Sequence, residues 1–340
     1  MRRVLGFVLI GLGALFLGLG ILAKPYLYKG LATVPLNQDS TSVSEGRGMS
    51  VLYAHVADGA PAVDKLTDVD VKSTREIRGI PGRVPADKRD KNVFWQTTVR
   101  SQAMVDGAPV DLSYSDAGVS LDRVSAEASN CCGDYRSVGD LTDPTKTENA
   151  TYEGLYFKFP FDVQQRDYQW YDTTLKRAEP IKFVKQDSID GTPVYVFEQK
   201  LGPEAVQTID APASLFSDGA SGDVTATEMY SNTRTLWVEP VTGVLIDGRE
   251  QINDVYQAEG YDPVAKTVGT IGFNEQTVSA NAKDWGAKAK LLSFIDHWVL
   301  LVGVVIGILL LALGGFLVLA GSPARPAAGP RADTRVRARA

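Results

Sequence analysis

The sequence predicts a β-rich (α+β) antiparallel domain flanked by an N-terminal and a C-terminal transmembrane α-helix. Two apolar runs without a charged residue, at 4–23 and 298–320, stand near the two ends of the chain. Between them, apolar residues recur at every second position in several segments, which is typical of half-buried strands. A turn that starts with proline and ends with glycine separates two short apolar runs near residue 240, which indicates a hairpin.

Each apolar run is long enough to span a membrane. The first has twenty uncharged positions and the second has twenty-three, and about 20 apolar residues at about 1.5 Å rise cross roughly 30 Å of hydrocarbon. We therefore divide the chain into a cytoplasmic N-terminus at 1–3, a transmembrane helix at 4–24, an extracytoplasmic β-rich domain at 25–280, a stalk helix at 281–297, a second transmembrane helix at 298–320 and a disordered arginine-rich tail at 321–340.

The first run is also compatible with a cleaved signal peptide, because Arg2 and Arg3 supply the positive region that either interpretation needs. Its twenty apolar residues exceed the roughly 7 to 15 of a signal-peptide core. We favour a retained anchor, and cleavage is the alternative.

Charge predicts the orientation and the partners. The last twenty residues carry five arginines against one acid, Asp333, and such basic segments stay in the cytoplasm. Two spans then place both termini in the cytoplasm and the main domain outside the cytoplasmic membrane. The first 29 residues hold four cations and the tail nets +4, so a chain of net charge −6 leaves −14 on the middle. A field of this sign repels nucleic acids, which leaves the bilayer as the expected partner.

Several segments of the middle are predicted to be strands. The alternation at 155–161 puts aromatic and aliphatic side chains on one face, and Pro160 places the segment at a sheet edge or a strand end. Further strands are expected at 92–103, 193–200 and 233–252, the last with a hairpin turn at 239–243. The stalk helix lacks proline, and its apolar face holds Trp285, Ala289, Leu292 and Ile295.

Patterns for catalysis and metal binding are absent from the sequence. Histidine occurs only at His55 and His297, without a Gly-x-Ser-x-Gly elbow or a phosphate-binding glycine loop. Two histidines and two adjacent cysteines match no usual zinc spacing. The sequence therefore predicts no catalytic residue, no metal site and no cofactor.

Both cysteines of the chain are adjacent, at Cys131 and Cys132. An even pair in an oxidising compartment favours a disulfide, although adjacent Cα atoms, about 3.8 Å apart, lie closer than the usual range of about 4.4–6.8 Å. The alternatives are a vicinal structural disulfide, free or buried thiols, and a redox or intermolecular role.

Aromatic residues are concentrated between Tyr152 and Tyr171, where eight of the thirty occur. This density predicts core packing of two adjacent strands or, alternatively, the wall of an apolar cavity. In the second case the candidate ligand-binding side chains are Phe157, Phe159, Tyr168 and Trp170.

Small residues recur in both spans. Gly303 and Gly307 form a GxxxG motif, and Ala14 with Gly18 forms a small-xxx-small patch in the first span. Such spacing lets helices approach closely, so pairing is predicted either between the two spans or between copies of the chain.

The chain resembles the actinobacterial porin PorA family of envelope proteins. The resemblance rests on the terminal anchors and on three motifs in order: Asn130-Cys131-Cys132-Gly133, the Tyr-x-Lys-Phe-Pro-Phe-like stretch at 156–162, and Trp-Val-Glu-Pro-Val-Thr-Gly at 237–243. It implies an actinobacterial cytoplasmic membrane and a domain that faces the cell wall. The anchors also look like those of the scavenger receptor class B family, and the hairpin is similar to turns in LolA-type carriers. Both of these likenesses imply lipid binding.

We therefore expect the domain to bind a hydrophobic envelope molecule, a lipid or glycolipid, for transport or sensing. Neither span contains a polar residue suited to line a channel, which disfavours a pore. The alternatives are a structural or scaffold protein that pairs with its own copies or with an envelope protein, a porin or channel as the family name suggests, and a carboxylate-dependent hydrolase, which needs only two well-placed acids.

Overall fold

The computed structural model describes residues 1–57, 59–139, 143 and 145–320. The chain forms two compact units. A helical unit comprises Met1–Lys29 with the residues from Phe294 onward, and a sheet unit comprises Gly30–Ser293. The predicted disordered tail at 321–340 lies outside the described residues.

The helices are α1 at Arg2–Leu22, the single turn α2 at Lys29–Leu31, and α3 at Glu275–Ala320. Both α1 and α3 are long and apolar enough to cross a membrane. The sequence places the end of the first helix near Pro25, but a π-helical turn over Ala23–Tyr28 carries the helical path past it. A wider turn of this kind accommodates a proline, which lacks the N–H donor of a regular helix.

Helix α3 begins six residues before the predicted stalk at 281 and runs unbroken through the predicted boundary at 298. The side-chain oxygen of Asn274 accepts a hydrogen bond from the backbone N–H of Thr277 at 3.0 Å, which is an N-cap. The helical apolar pattern becomes visible only one to two turns later, so the sequence pattern alone places the start too late.

Among the described residues, twelve antiparallel strands form one sheet. They are β1 Asp39–Ala57, β2 Ala60–Gly79, β3 Asn92–Val105, β4 Ala108–Asp122, β5 Tyr135–Ser137, β6 Thr147–Asn149, β7 Tyr168–Asp172, β8 Arg177–Ile189, β9 Thr192–Pro212, β10 Asp223–Val238, β11 Leu245–Ala258 and β12 Val264–Phe273. Sequence neighbours pair along each half, and β1 pairs with β12, so β6 and β7 are the two edges.

The antiparallel β-rich fold with a helix at each end is confirmed. The strands expected at 92–103 and 193–200 lie within β3 and β9. The expected hairpin is formed by β10 and β11, which pair on either side of the turn at 239–243. Single turns of 3₁₀ helix, such as Pro81–Arg83 between β2 and β3, connect some of the strands.

Residues 150–167 form a crossover segment that joins β6 to β7. Leu155 in this segment pairs with β7, because its N–H donates to the carbonyl of Gln169 and its carbonyl accepts from the N–H of Tyr171, both at 2.8 Å. On the other side, isolated bridges connect Leu155 to Glu127 and the neighbouring Ala128 to β4. Backbone pairing therefore continues from β4 through the crossover segment to β7, and the sheet curls around its inner face.

The strand predicted at 155–161 is wrong. Leu155 makes only the isolated bridges, and the residues that follow it are irregular. Tyr156, Phe157, Lys158 and Phe159 are all buried. The segment lies inside the curled sheet, where both sides of an alternating pattern contact protein, so the pattern does not distinguish a solvent face.

The two faces of the sheet are used differently. The inner face packs against the crossover segment in the main core, which includes Trp95, Phe159 and Phe197. On the outer face, Ala282 of α3 packs against Val194 and Ile246. The first turns of α3 thus cover part of the outer face of the sheet.

Candidate functional site: two cavities inside the sheet

The loop after β4 holds the start of the crossover segment. The Asn130 side chain accepts a hydrogen bond from the N–H of Tyr152 at 2.9 Å and donates to its carbonyl at 2.8 Å. The buried Asp134 carboxylate accepts from the N–H and the hydroxyl of Ser120, and this hydroxyl accepts from the N–H of Cys131 at 2.8 Å. The Asn-Cys-Cys-Gly motif is therefore part of the support for Tyr152.

A vicinal disulfide joins Cys131 and Cys132, whose Cα atoms lie 3.8 Å apart. Both residues are half-buried. Neither belongs to the walls of the two cavities described below. The disulfide is thus a part of the supporting loop and not of the cavity surface.

The turn between β10 and β11 holds the end of the crossover segment. The buried Glu239 carboxylate accepts hydrogen bonds from the N–H groups of Val241 and Thr242 at 3.0 and 2.7 Å. The N–H of Phe159 donates to the carbonyl of Gly243 at 2.8 Å. A Cβ atom on Gly243 would lie 2.2 Å from the Phe159 carbonyl oxygen, and its φ is +73°, so this position requires glycine.

The aromatic residues of the crossover region are divided between core and cavity. The Phe159 ring centroid lies 5.1 Å from that of Tyr168 and 4.5 Å from that of Phe197, and all three rings are buried. Of the four predicted ligand-binding side chains, Phe159 and Tyr168 lie in this core, Trp170 borders the larger cavity and Phe157 borders the narrower one.

Within the described residues, the curled sheet borders two cavities that are open to solvent on one side, with volumes of about 770 and 350 Å³, and α3 adds to the wall of the narrower one. The larger cavity is bordered by residues such as Met49, Val71, Ser101, Tyr230, Arg234 and Tyr256. The narrower cavity is bordered by residues such as Pro35, Trp95, Phe157, Lys158, Leu245 and Leu292. Arg75 and Phe273 belong to both walls. The cavities are therefore neighbours, and their volumes are typical of small-molecule sites, at about 300–1,000 Å³.

A buried ion network forms part of the larger cavity. The Arg234 guanidinium contacts the carboxylates of Glu250 at 3.1 Å and Asp172 at 3.0 Å. Burial alone would lower the pKa of Arg234, but the charges of Glu250 and Asp172 raise it instead. The Tyr230 hydroxyl also donates to Asp172 at 3.1 Å. The positive charge of Arg234 is thus paired, and its side chain is fixed in position.

A second ion cluster lies further along the same wall. The Lys266 ammonium contacts Glu228 at 2.5 Å and Asp254 at 3.2 Å. Burial raises the pKa of Asp254 to about 6, against the opposing charge of Lys266 and with a contribution from Glu228. The larger cavity therefore contains a carboxyl group that titrates just below neutral pH. Within the described residues, no group of three or more His, Cys, Asp or Glu side chains could hold a metal ion.

The narrower cavity has mostly apolar walls and an unusual buried cation. Lys158 is 5% exposed, and its Nζ atom has no hydrogen-bond partner within the described part of the chain. It lies 4.0 Å from the centroid of the Phe161 ring. Burial lowers the pKa of Lys158 to about 7, against the charge of Glu239.

Within the helical unit, glycines of α1 face glycines of α3. A Cβ atom on Gly13 would lie 2.8 Å from the Gly307 carbonyl oxygen, and one on Gly303 would lie 2.9 Å from the Gly20 Cα. A third contact joins Gly6 and Gly314. The predicted GxxxG residues thus contact the other helix of the same chain, whereas a Cβ atom on Gly18 would meet nothing within 4 Å.

Sequence reasoning missed the charged residues of both cavities. A signal was present in β10, where Glu228, Tyr230 and Arg234 occupy the same alternate positions as the buried Leu236 and Val238. Polar side chains at the alternate strand positions that face inward indicate an interior that contains charge or water. No comparable signal marked Lys158, because the aromatic alternation around it was assigned to a strand.

The architecture is matched by known proteins. The family model described as Porin PorA matches residues 5–316, a range that includes the whole sheet unit. The chain belongs to the Porin PorA family. The resemblance drawn from the three motifs is therefore confirmed.

Two relatives in the PorA family come from corynebacteria. The Porin PorA of Corynebacterium amycolatum is 24% identical over 305 residues, covering 74% of this chain and 78% of the relative. The Porin PorA of Corynebacterium resistens is 24% identical over 327 residues, covering 75% of this chain and 78% of the relative. Both alignments extend over about three quarters of each chain.

Proposed function

We propose that this PorA-family member is a two-pass membrane protein whose sheet unit binds a hydrophobic envelope molecule, a lipid or glycolipid, for transport or sensing. The observation that carries the proposal is the pair of neighbouring cavities inside the curled sheet, of about 770 and 350 Å³. Folded domains normally pack their interiors with few voids larger than a water molecule. Spaces of this size are typical of proteins that hold a ligand.

The proposed setting is the cytoplasmic membrane, with both termini in the cytoplasm and the sheet unit on the outer side. Large apolar side chains such as Phe7, Leu309 and Phe316 are exposed on the helical unit, which suits contact with lipid. The basic tail supports a cytoplasmic C-terminus. The Cys131–Cys132 disulfide supports an oxidising, extracytoplasmic location for the sheet unit.

Native mass spectrometry of the full chain, extracted from its own membrane in a neutral detergent, tests this proposal. We expect a population that carries one extra mass in the range of a lipid or glycolipid. Ser42→Trp places an indole on the wall that the two cavities share and should remove that mass, whereas Arg100→Trp, at an exposed position outside both walls, should keep it. Protein that is always empty in all three forms would refute ligand binding.

A channel is the second candidate, because the matched relatives are named Porin PorA. Glycine contacts bring α1 and α3 together without a gap, so a pore would require several copies of the chain. Single-channel recording in planar bilayers distinguishes the two functions. Discrete conductance steps of constant size, whose frequency rises with protein concentration, would favour the channel. The absence of such steps from protein that retains its ligand would favour binding.

A further inference from the structure

The narrower cavity carries positive charge and no negative charge among its described lining residues. Arg75, Lys158 and Lys288 belong to its wall, and no aspartate or glutamate does. The middle of the chain has a net charge of −14, so this cavity reverses the prevailing sign. A cavity of one charge sign with low-dielectric walls attracts ligands of the opposite sign.

Lys158 is the most buried of these cations, and no described carboxylate forms a hydrogen bond with it. Its Nζ atom is buried and makes no hydrogen bond with the described residues. Leaving a buried ammonium in this state is strongly unfavourable, and the Phe161 ring, 4.0 Å from Nζ, offsets only a part of that penalty. An anion bound in the cavity would supply the missing hydrogen bonds.

Glu239 does not fill this role, because its carboxylate is occupied elsewhere. One oxygen accepts from the N–H of Val241 at 3.0 Å, and the other accepts from the N–H and the hydroxyl of Thr242 at 2.7 and 2.6 Å. These bonds shape the turn that supports the crossover segment. The charge of Lys158 is therefore left available for a ligand.

The remaining wall of the narrower cavity suits a hydrocarbon chain. Trp95 and Phe157 meet there at a centroid distance of 5.4 Å, and Leu245 and Leu292 add aliphatic surface. At the exposed side, the Lys288 ammonium lies 3.7 Å from the Trp285 ring centroid. The cavity thus combines an apolar lining with one buried and one exposed ammonium.

We propose that the narrower cavity binds an anionic amphiphile, with the Lys158 ammonium donating to a carboxylate or phosphate head group and the apolar wall holding the acyl chain. This inference rests on the proposed function and specifies its ligand class. Arg75 lies on the inner face of β2 and in the walls of both cavities, where it is a second donor for the same head group.

The test uses the full chain in nanodiscs of zwitterionic lipid and two bromine-labelled probes, 11-bromoundecanoate and its methyl ester. The probes differ only in the charge of the head group, and bromine close to Trp95 or Trp285 quenches tryptophan fluorescence. We expect saturable quenching by the acid and much weaker saturable quenching by the ester. This comparison on the wild-type protein requires no variant to fold.

Lys158→Met then tests the named residue, with Lys182→Met, an exposed lysine outside both cavities, as the matched control. We expect Lys158→Met to weaken binding of the acid by about tenfold or more, since a hydrogen bond to a charged group contributes about that factor. Binding of the ester should not change, and Lys158→Arg should restore part of the affinity. The ligand-free Lys158→Met protein should keep or raise its thermal midpoint, because it loses an unpaired buried charge.

Three outcomes would overturn the inference in different ways. Equal binding of acid and ester, or equal binding of the acid to wild type and Lys158→Met, would reject the anionic head group while amphiphile binding stands. Displacement of the acid by inorganic phosphate at similar concentration would show a simple anion site without a role for the chain. The absence of saturable quenching by both probes, together with empty protein in mass spectrometry, would reject the proposed function itself.

Discussion

Arg234 shows how charge is accommodated inside the sheet. Its side chain is 8% exposed and its partner Asp172 is 1% exposed, with 3.0 Å between them. A buried guanidinium is tolerated because each of its nitrogen atoms reaches an oxygen of Asp172, Glu250 or Gln199. One wall of the larger cavity is consequently polar, and its guanidinium is paired with carboxylates.

The Arg234→Met substitution would leave two carboxylates without their cation. We expect a loss of about 3–5 kcal/mol in the free energy of unfolding, which is the usual cost of breaking a buried pair. Thermal unfolding followed by tryptophan fluorescence measures the change. Arg100→Met is the control, because the Arg100–Asp111 pair is shorter, at 2.6 Å, but more than half exposed and should contribute little. Equal losses of free energy of unfolding in Arg234→Met and Arg100→Met would show that the buried network does not stabilise the fold.

Asp254 predicts a pH dependence of stability. The pKa of its carboxyl is raised from 3.8 to about 6 in the folded protein, mainly by burial. Between about pH 4 and 6, the Asp254 carboxyl is therefore protonated more often in the folded state than in the unfolded chain. The contribution of Asp254 to the free energy of unfolding falls as the pH rises through that window. We expect Asp254→Asn to lose this decline. The thermal midpoints of the wild type and of Asp254→Asn, measured between about pH 4 and 6, test this prediction. The same dependence of the midpoint on pH in both proteins would contradict it.

At the scale of elements, the turn at 239–243 and the crossover segment depend on each other. The turn offers carbonyl groups to the crossover segment, and Val163 donates its N–H to the Pro240 carbonyl at 2.7 Å. The internal bonds of Glu239 hold the turn in shape. Two of the three family motifs thus form one structural contact, although about 80 residues separate them in sequence.

Gly243→Ala tests this contact. A Cβ atom there would meet the carbonyl oxygens of Phe159 and Pro160 at 2.2 Å. Gly260 is the matched control, because its φ of +82° is similar but its Cβ would meet nothing within 4 Å. We expect Gly260→Ala to cost about 1–2 kcal/mol from backbone strain alone and Gly243→Ala to cost about 1–3 kcal/mol more from the clash. Chemical denaturation of both variants measures the difference, and equal losses would refute the contact.

At the scale of the whole molecule, pairing of α1 with α3 joins the two ends of the chain within the helical unit. Gly13 and Gly307 permit the close approach, since each lies against the backbone of the other helix. Without a hydrophobic driving force in lipid, such packing contacts are what hold helices together. The pairing therefore depends on a few small residues.

Gly13→Leu should separate the two helices, whereas Gly11→Leu should not, because a Cβ atom at Gly11 would meet nothing within 4 Å. Spin labels on cysteines introduced at the exposed Leu5 and Leu319 report the distance between the helices. We expect a short, narrow distance distribution in the wild type and in Gly11→Leu, and a longer, broader one in Gly13→Leu. Short distances in both variants would show that the glycine contacts are dispensable.

The two apolar helices, the antiparallel strands and the β10–β11 hairpin are predictable from the sequence alone. These features are local: twenty uncharged positions, a period of two, or a five-residue turn is visible in one short window. The family motifs were also visible locally. In each case the physical cause acts between residues that are close in the chain.

What lies inside the sheet depends on contacts between residues that are distant in the chain. The segment at 155–161 has the pattern of a strand, but the curl of the sheet encloses it on both sides and leaves it irregular. Likewise Lys158 faces a cavity because β1, β2 and α3 meet around it, and these elements come from distant parts of the chain. The burial of Lys158 and its lack of a hydrogen-bond partner among the described residues are properties of that assembly, so no local pattern in the sequence could contain them.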